Sequence, residues 1–170
     1  AYADCDEANA AIGAALSLGG PVPDDIAAVL RTVQIDLFDA GADLSTPVVE
    51  DPKYPPLRIE QDYIDALEHW CDAFGEPLPS LDSFILPGGS PLSALLHQAR
   101  TVTRRAERSA WAAVDADPDA TSVLPARYLN RLSDLLFILS RVANRPPHGD
   151  GDITWVPGGQ RHRPDKTASE

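Results

Sequence analysis

Five stretches of the chain repeat apolar residues at the three- and four-residue spacing of a single helix face. The first runs from about Ala3 to Leu18, with Ala8, Ile12, Ala15 and Leu16 on one side and Gly19-Gly20-Pro21 closing it. The second opens on Asp24 and Asp25, whose carboxylates suit a helix N-terminus. It carries Ile26, Val29, Leu30, Val33, Leu37 and Ala40 to a stop near Gly41. In the third, Ile59, Tyr63, Leu67, Trp70 and Phe74 recur at helical intervals. Ser90 and Pro91 are suited to be the N-cap and first residue of a fourth helix, which continues to about Ala116. The fifth runs from about Pro125 to Asn144, with Leu129, Leu132, Leu136, Leu139 and Ala143 facing inward. No stretch competes with a strand period, so the pattern predicts an all-α, five-helix bundle over residues 1–144.

The connections are equally legible. Ser45 to Leu57 holds Pro47, Pro52, Pro55 and Pro56, and Gly75 to Gly89 holds the segment FILPGG; both are predicted loops. Asp117 to Ser122 is a polar link. From Arg145 onward proline, glycine and charge replace periodicity, which predicts a mobile tail over 145–170 in which Ile153, Trp155 and Val156 could dock locally.

The polar faces carry the chemistry. On the fourth helix Leu92, Leu95, Leu96, Ala99, Ala106, Ala110 and Ala113 form the apolar stripe, while His97, Arg100, Arg104, Glu107, Arg108 and Trp111 gather elsewhere. Arginines at i, i+4 and i+8 repel one another on a solvated helix, whereas their guanidinium forks suit phosphate or carboxylate. The fifth helix sets Arg127, Asn130, Asp134, Phe137 and Arg141 in one arc opposite its leucines, and the first does the same with Asp6, Asn9 and Gly13. A solvent face is the ordinary reading of any one of these. Together they point to a nucleotide site between helices. Arg104 and Arg108 suit polyphosphate, Asn130 the edge of a base, and Glu107 an Mg²⁺ ion. Asp6 is placed to fix Arg100, and Gly13 permits close helix approach. His69, His97, His148 and His162 are scattered, and His97 is expected as a partly exposed helix residue rather than a ligand.

Composition narrows the field. The 170 residues suit one domain, and a net charge of −12, from 14 basic and 26 acidic residues, argues against a nucleic-acid surface. Of the basic residues only Lys53 and Lys166 are lysines. Two cysteines, Cys5 and Cys71, are too few for a disulfide framework or thiolate metal cluster, and reduced thiols point to a cytoplasmic protein. There is no membrane-length apolar run, signal peptide, Walker-type phosphate loop or nucleophile elbow, and no carboxylate pair suited to glycoside hydrolysis stands out. The chain begins at Ala1, without methionine, directly in a helical pattern, so a preceding segment is expected.

The series DEANAAIG, DLFDAGADLSTP, FILPGG, LHQARTVTRRAER and YLNRLSDLLFILSR resembles the PduO-type ATP:cob(I)alamin adenosyltransferases, from about Tyr2 to Asn144. The resemblance implies a homotrimer of five-helix bundles with active sites between subunits. It implies transfer of the 5′-deoxyadenosyl group of ATP to the cobalt of cob(I)alamin, giving adenosylcobalamin and triphosphate. It also assigns roles. Arg104, Glu107, Arg108 and Asn130 would contact ATP and its Mg²⁺, and Asp6 and Arg100 would pair across the subunit boundary. Phe84 would stand at the lower face of the corrin, with Asp134 in support. Arg104, Arg100 and Asp6 are the expected catalytic set, and Phe84, Asp6, Arg100 and Asp134 the expected cobalamin set. A cobalamin reductase and an adenosylcobalamin-dependent mutase are the implied partners, with no nucleic acid and no membrane. The family's threonine- and glycine-rich phosphate segment precedes the first of these motifs, and Ala8 stands where leucine is usual. An alternative is a corrinoid carrier that delivers adenosylcobalamin without turnover.

Overall fold

A computed structural model describes residues 1–158, so His162, Lys166 and the end of the expected tail lie outside the described residues. The helices are α1 (Tyr2–Leu18), α2 (Asp24–Leu44), α3 (Gln61–Gly75), α4 (Pro91–Ala116) and α5 (Leu124–Ala143). No strand forms among the described residues. The one sheet-like contact is an isolated antiparallel bridge between Ile85 and Thr154. Helix α4 is central, packing on α1 along one side and α5 along another, with α2 against α1 and α3 against α5.

The predicted leucines close the core. Leu96, Leu129, Leu132, Leu136 and Leu139 are fully buried, as are Ile12, Ile26, Leu30 and Leu67. Each such side chain contributes about 1.5–3 kcal/mol relative to remaining exposed. The Ser90 hydroxyl accepts from the backbone N–H of Ser93 at 3.1 Å, and Pro91 follows, giving α4 its predicted cap.

Two boundaries differ from the sequence reading, each for a packing reason. Helix α2 passes through Gly41 to Leu44 because Gly41 lies under the Tyr2 ring; a Cβ there would come within 3.1 Å of Tyr2 Cδ2. Ile59 is buried but precedes α3. Its N–H donates to Asp43 Oδ2 at 2.9 Å, while Arg58 donates to Asp43 Oδ1 at 2.6 Å, so an ion pair sets the entry to the helix.

Beneath α3, the Tyr128 hydroxyl donates to Asp36 at 3.1 Å and that of Tyr63 donates to Asp39 at 3.0 Å. Burial raises the Asp36 pKa; the Tyr128 hydrogen bond opposes this, and Asp39 and Asp62 add to it. A carboxyl whose folded pKa is raised favours folding below its unfolded pKa, an advantage lost as pH rises through the folded value. At neutral pH the Asp36 charge is therefore a cost. Asp36→Asn, which keeps an acceptor for Tyr128, is expected to raise Tm at pH 7, with the gain shrinking towards pH 4 on calorimetric scans. An equal gain at both pH values would contradict this.

Candidate active site

The site is built along the face shared by α4 and α5. One and two turns after Arg100, the helical repeat brings up Arg104 and then Glu107 and Arg108. Glu107 is buried, and its two oxygens are shared. Arg104 donates to Oε2, and the Asn130 amide donates to Oε1 at 3.0 Å from α5. Three residues 26 positions apart in sequence, Arg104 to Asn130, thus form one connected group.

Two cavities border it. One, of about 460 Å³, is lined by Glu107, Trp111, Arg127, Asn130 and Arg131, with Gln61, Ile64 and Glu68 from α3. The other, of about 380 Å³, is lined by Arg100, Arg104, Ser133, Asp134, Phe137 and Ile138. Arg104 lines one and Glu107 the other, so their ion pair links the two. Arg100 is half-buried, and its Nε has no hydrogen-bond partner among the described residues. Burial, and then the neighbouring Arg104, push its pKa down. A guanidinium in that position gains most from an anion.

The remaining expected residues are more dispersed. Arg108 is exposed on the same helix. Asp134 accepts from Arg131 at 3.0 Å, and Arg131 reaches Glu68 at 3.1 Å. Asp6 lies in a groove between α1 and α2 with Tyr2, Asn9, Leu37 and Phe38, and has no ion pair among the described residues. Asp6 and Arg100 are therefore not paired with each other within the chain. Phe84 stands on the second loop, 78% exposed, with its ring 6.1 Å from Trp155 in an edge-on arrangement.

Two sequence readings change, those of Asn9 and His97. Asn9 belongs to the fold: its amide donates to the Gln34 carbonyl at 2.8 Å, and Gln34 donates back to Asn9 Oδ1 at 2.9 Å. Gly13 makes the expected close approach, with its Cβ position 3.3 Å from Gln34 Nε2. His97 is buried rather than partly exposed, and its Nε2 lies 3.2 Å from the Ser140 hydroxyl. Burial and Arg100 lower its pKa against the opposing pull of Asp152, which suits a neutral structural imidazole. Ser133 and Arg131, which the sequence pattern does not mark, also line the cavities. Ser133 falls one turn beyond Asn130 in the polar arc, which was the available signal.

Neither cysteine is a nucleophile candidate. Burial pushes the Cys5 and Cys71 thiols up to about 11, so both stay protonated at neutral pH. No helix among the described residues is long and apolar enough to cross a membrane.

The model of the cobalamin adenosyltransferase family matches residues 1–143. The chain belongs to that family. It is 74% identical over 161 residues to the corrinoid adenosyltransferase of Mycobacterium tuberculosis, spanning 95% of this chain and 81% of that protein. The Bacillus subtilis corrinoid adenosyltransferase is 43% identical over 156 residues, covering 91% of this chain and 77% of that protein. Among solved structures, a variant PduO-type ATP:corrinoid adenosyltransferase from Lactobacillus reuteri, complexed with cobalamin and ATP, superposes with a TM-score of 0.75 at 32% identity. That match covers 91% of this chain and 81% of the other. As a family member, the protein is a transferase for ATP-dependent adenosylation of cobalamin.

Proposed function

We propose that the α4–α5 face is the nucleotide side of the transfer site, with Arg104, Glu107, Arg108 and Asn130 contacting ATP. The observation that carries this is the Arg104–Glu107–Asn130 group between two cavities, beside a half-buried arginine whose Nε has no hydrogen-bond partner among the described residues. Cob(I)alamin is itself the nucleophile, so the protein need not supply one. The cobalt electron pair attacks C5′ of ATP; the Co–C bond forms as C5′–O breaks, and triphosphate leaves with that bond's electrons. The chain's tasks are to hold C5′ on line, neutralise the leaving triphosphate and exclude water. Arg104 and Arg108 meet the leaving charge, while Glu107 and Asn130 fix where Arg104 points.

Magnesium fits this donor set in one way. No cluster of three or more metal-ligating side chains is present among the described residues, and each oxygen of Glu107 already accepts one hydrogen bond. An ion that arrives on the triphosphate and keeps most of its water needs only one carboxylate, and Glu107 has lone pairs to spare. Its role there is to offset phosphate charge.

The corrin side is assigned to Phe84, Arg100, Asp6 and Asp134. An apolar wall at Phe84 offers no ligand to the lower face of cobalt, which favours the electron-rich Co(I) state. Asp6 and Arg100 pair between subunits of a homotrimer. Support comes from the lack of any ion pair between them among the described residues and from the exposed apolar side chains of Tyr2 and Phe38 beside Asp6, a patch suited to burial against a neighbour. The same reading implies a cytoplasmic enzyme supplied by a cobalamin reductase and drained by a dependent mutase. Reversing one charge, Asp6→Arg or Arg100→Asp, is expected to lower kcat/KM for cob(I)alamin by roughly tenfold or more. Combining the two reversals restores most of the loss. A double variant as poor as its parents contradicts the pairing.

A further inference from the structure

Residues 150–156 do not trail away from the bundle. The Leu86 N–H donates to the Ile153 carbonyl at 2.7 Å, and the Trp155 N–H donates to the Phe84 carbonyl at 2.8 Å. Around the Ile85–Thr154 bridge these bonds make a short antiparallel ribbon, and the Ser83 hydroxyl adds a bond to the Trp155 carbonyl at 3.3 Å. Two strands of this length have little stability of their own in water. Something else must hold them.

The anchor is Arg141, near the end of α5. Its side chain is only 9% exposed, and its Nε donates to Asp152 Oδ2 at 2.8 Å while Nη2 donates to the Pro79 carbonyl at 2.7 Å. One guanidinium therefore ties both halves of the ribbon to the bundle: the tail through Asp152 and the loop through Pro79. Asn144, one turn on, reinforces it, accepting from Ser90 N–H at 2.9 Å and donating to the Gly88 carbonyl at 3.1 Å. Gly89 is required beside it, since its φ is +103° and a Cβ would meet Asn144 Oδ1 at 2.1 Å. A buried ion pair is an expensive way to hold a surface ribbon, because both charges give up water. What the ribbon displays is Phe84, 78% exposed, backed edge-on by Trp155 at 40%. This segment lies beyond residues 1–143 that the family model matches.

We infer that Asp152, acting through Arg141, is a positioning residue for Phe84, fixing the aromatic wall against which the corrin is set. The inference rests on the proposed place of Phe84 at the corrin, and the experiment separates the two. Asp152→Ala and Phe84→Ala are compared with the double variant by steady-state kinetics and by the visible spectrum of bound cob(II)alamin. Hydrogen exchange of the Trp155 amide is followed in parallel. Asp152→Ala is expected to raise KM for the corrinoid by roughly tenfold or more. It should also lower the fraction of cob(II)alamin without a lower ligand and speed Trp155 exchange, with ATP affinity and helical circular dichroism unchanged. In the Phe84→Ala background the same substitution should add little, because coupled residues are not additive. An unchanged corrinoid KM, an equal loss with and without Phe84, or a parallel loss of ATP binding would each overturn the inference. A Phe84→Ala variant with unaltered corrin spectrum and KM would instead overturn the reading on which it rests, while the Trp155 exchange rate would still judge the anchor.

Discussion

Arg104→Ala is expected to lose transfer by on the order of 1000-fold in kcat/KM, the scale of removing one preorganised donor from a developing anion. Arg104 gives the site a fixed cation because Glu107 holds it one turn away on α4. Its stability cost is small by comparison. The Arg104 side chain is 45% exposed, so solvent screens the pair, and Glu107 keeps the Asn130 amide as a partner. A loss of about 1 kcal/mol or less is expected, with Tm down by roughly 2–4 °C. Single-turnover kinetics beside a thermal melt check both numbers. A variant that unfolds or loses assembly would make this arginine structural and contradict the site.

Glu107→Gln separates positioning from attraction. The amide keeps one oxygen and replaces the other with a donor, which then faces either the Arg104 guanidinium or the Asn130 amide. One of the two hydrogen bonds to Glu107 is lost, and the group loosens. The charges of Arg100, Arg104 and Arg108 remain, so ATP affinity should fall less than tenfold, while turnover falls by about 100-fold because C5′ is no longer held on line. Calorimetric ATP titration and rapid-quench turnover read the two separately. If affinity and turnover fall in step, Glu107 acts chiefly as a magnesium ligand rather than as the residue that aims Arg104.

The bundle was legible in the sequence because helical periodicity reports burial directly. Leu129, Leu132, Leu136 and Leu139 are inside for the reason their spacing gives. Arg104, Glu107 and Asn130 were legible as two polar faces that a buried bundle has no use for, and the structure connects them. Periodicity fixes which way a side chain points, not which neighbour it meets. Asn9 and His97 were thus misplaced: their partners, Gln34 and Ser140, stand 25 and 43 positions away, on helices whose register the pattern does not supply. Gly41 looked like a helix stop because glycine commonly ends helices, yet here it makes room for Tyr2. The ribbon of residues 150–156 was visible only as apolar residues, Ile153, Trp155 and Val156, that could dock locally. Its stability comes from Arg141 on α5 and Asn144 just beyond it, and a segment with no periodicity of its own does not show which residues hold it.

Transfer at this site is tested by anaerobic incubation of the purified protein with chemically reduced cob(I)alamin and Mg²⁺-ATP, following the Co(I) absorbance band and the triphosphate released. The band is expected to decay to adenosylcobalamin with one triphosphate per corrin, and Arg104→Ala is expected to hold both near the uncatalysed rate. A persistent Co(I) band with corrin and ATP both bound would contradict it, leaving a protein that carries the corrinoid without transferring to it.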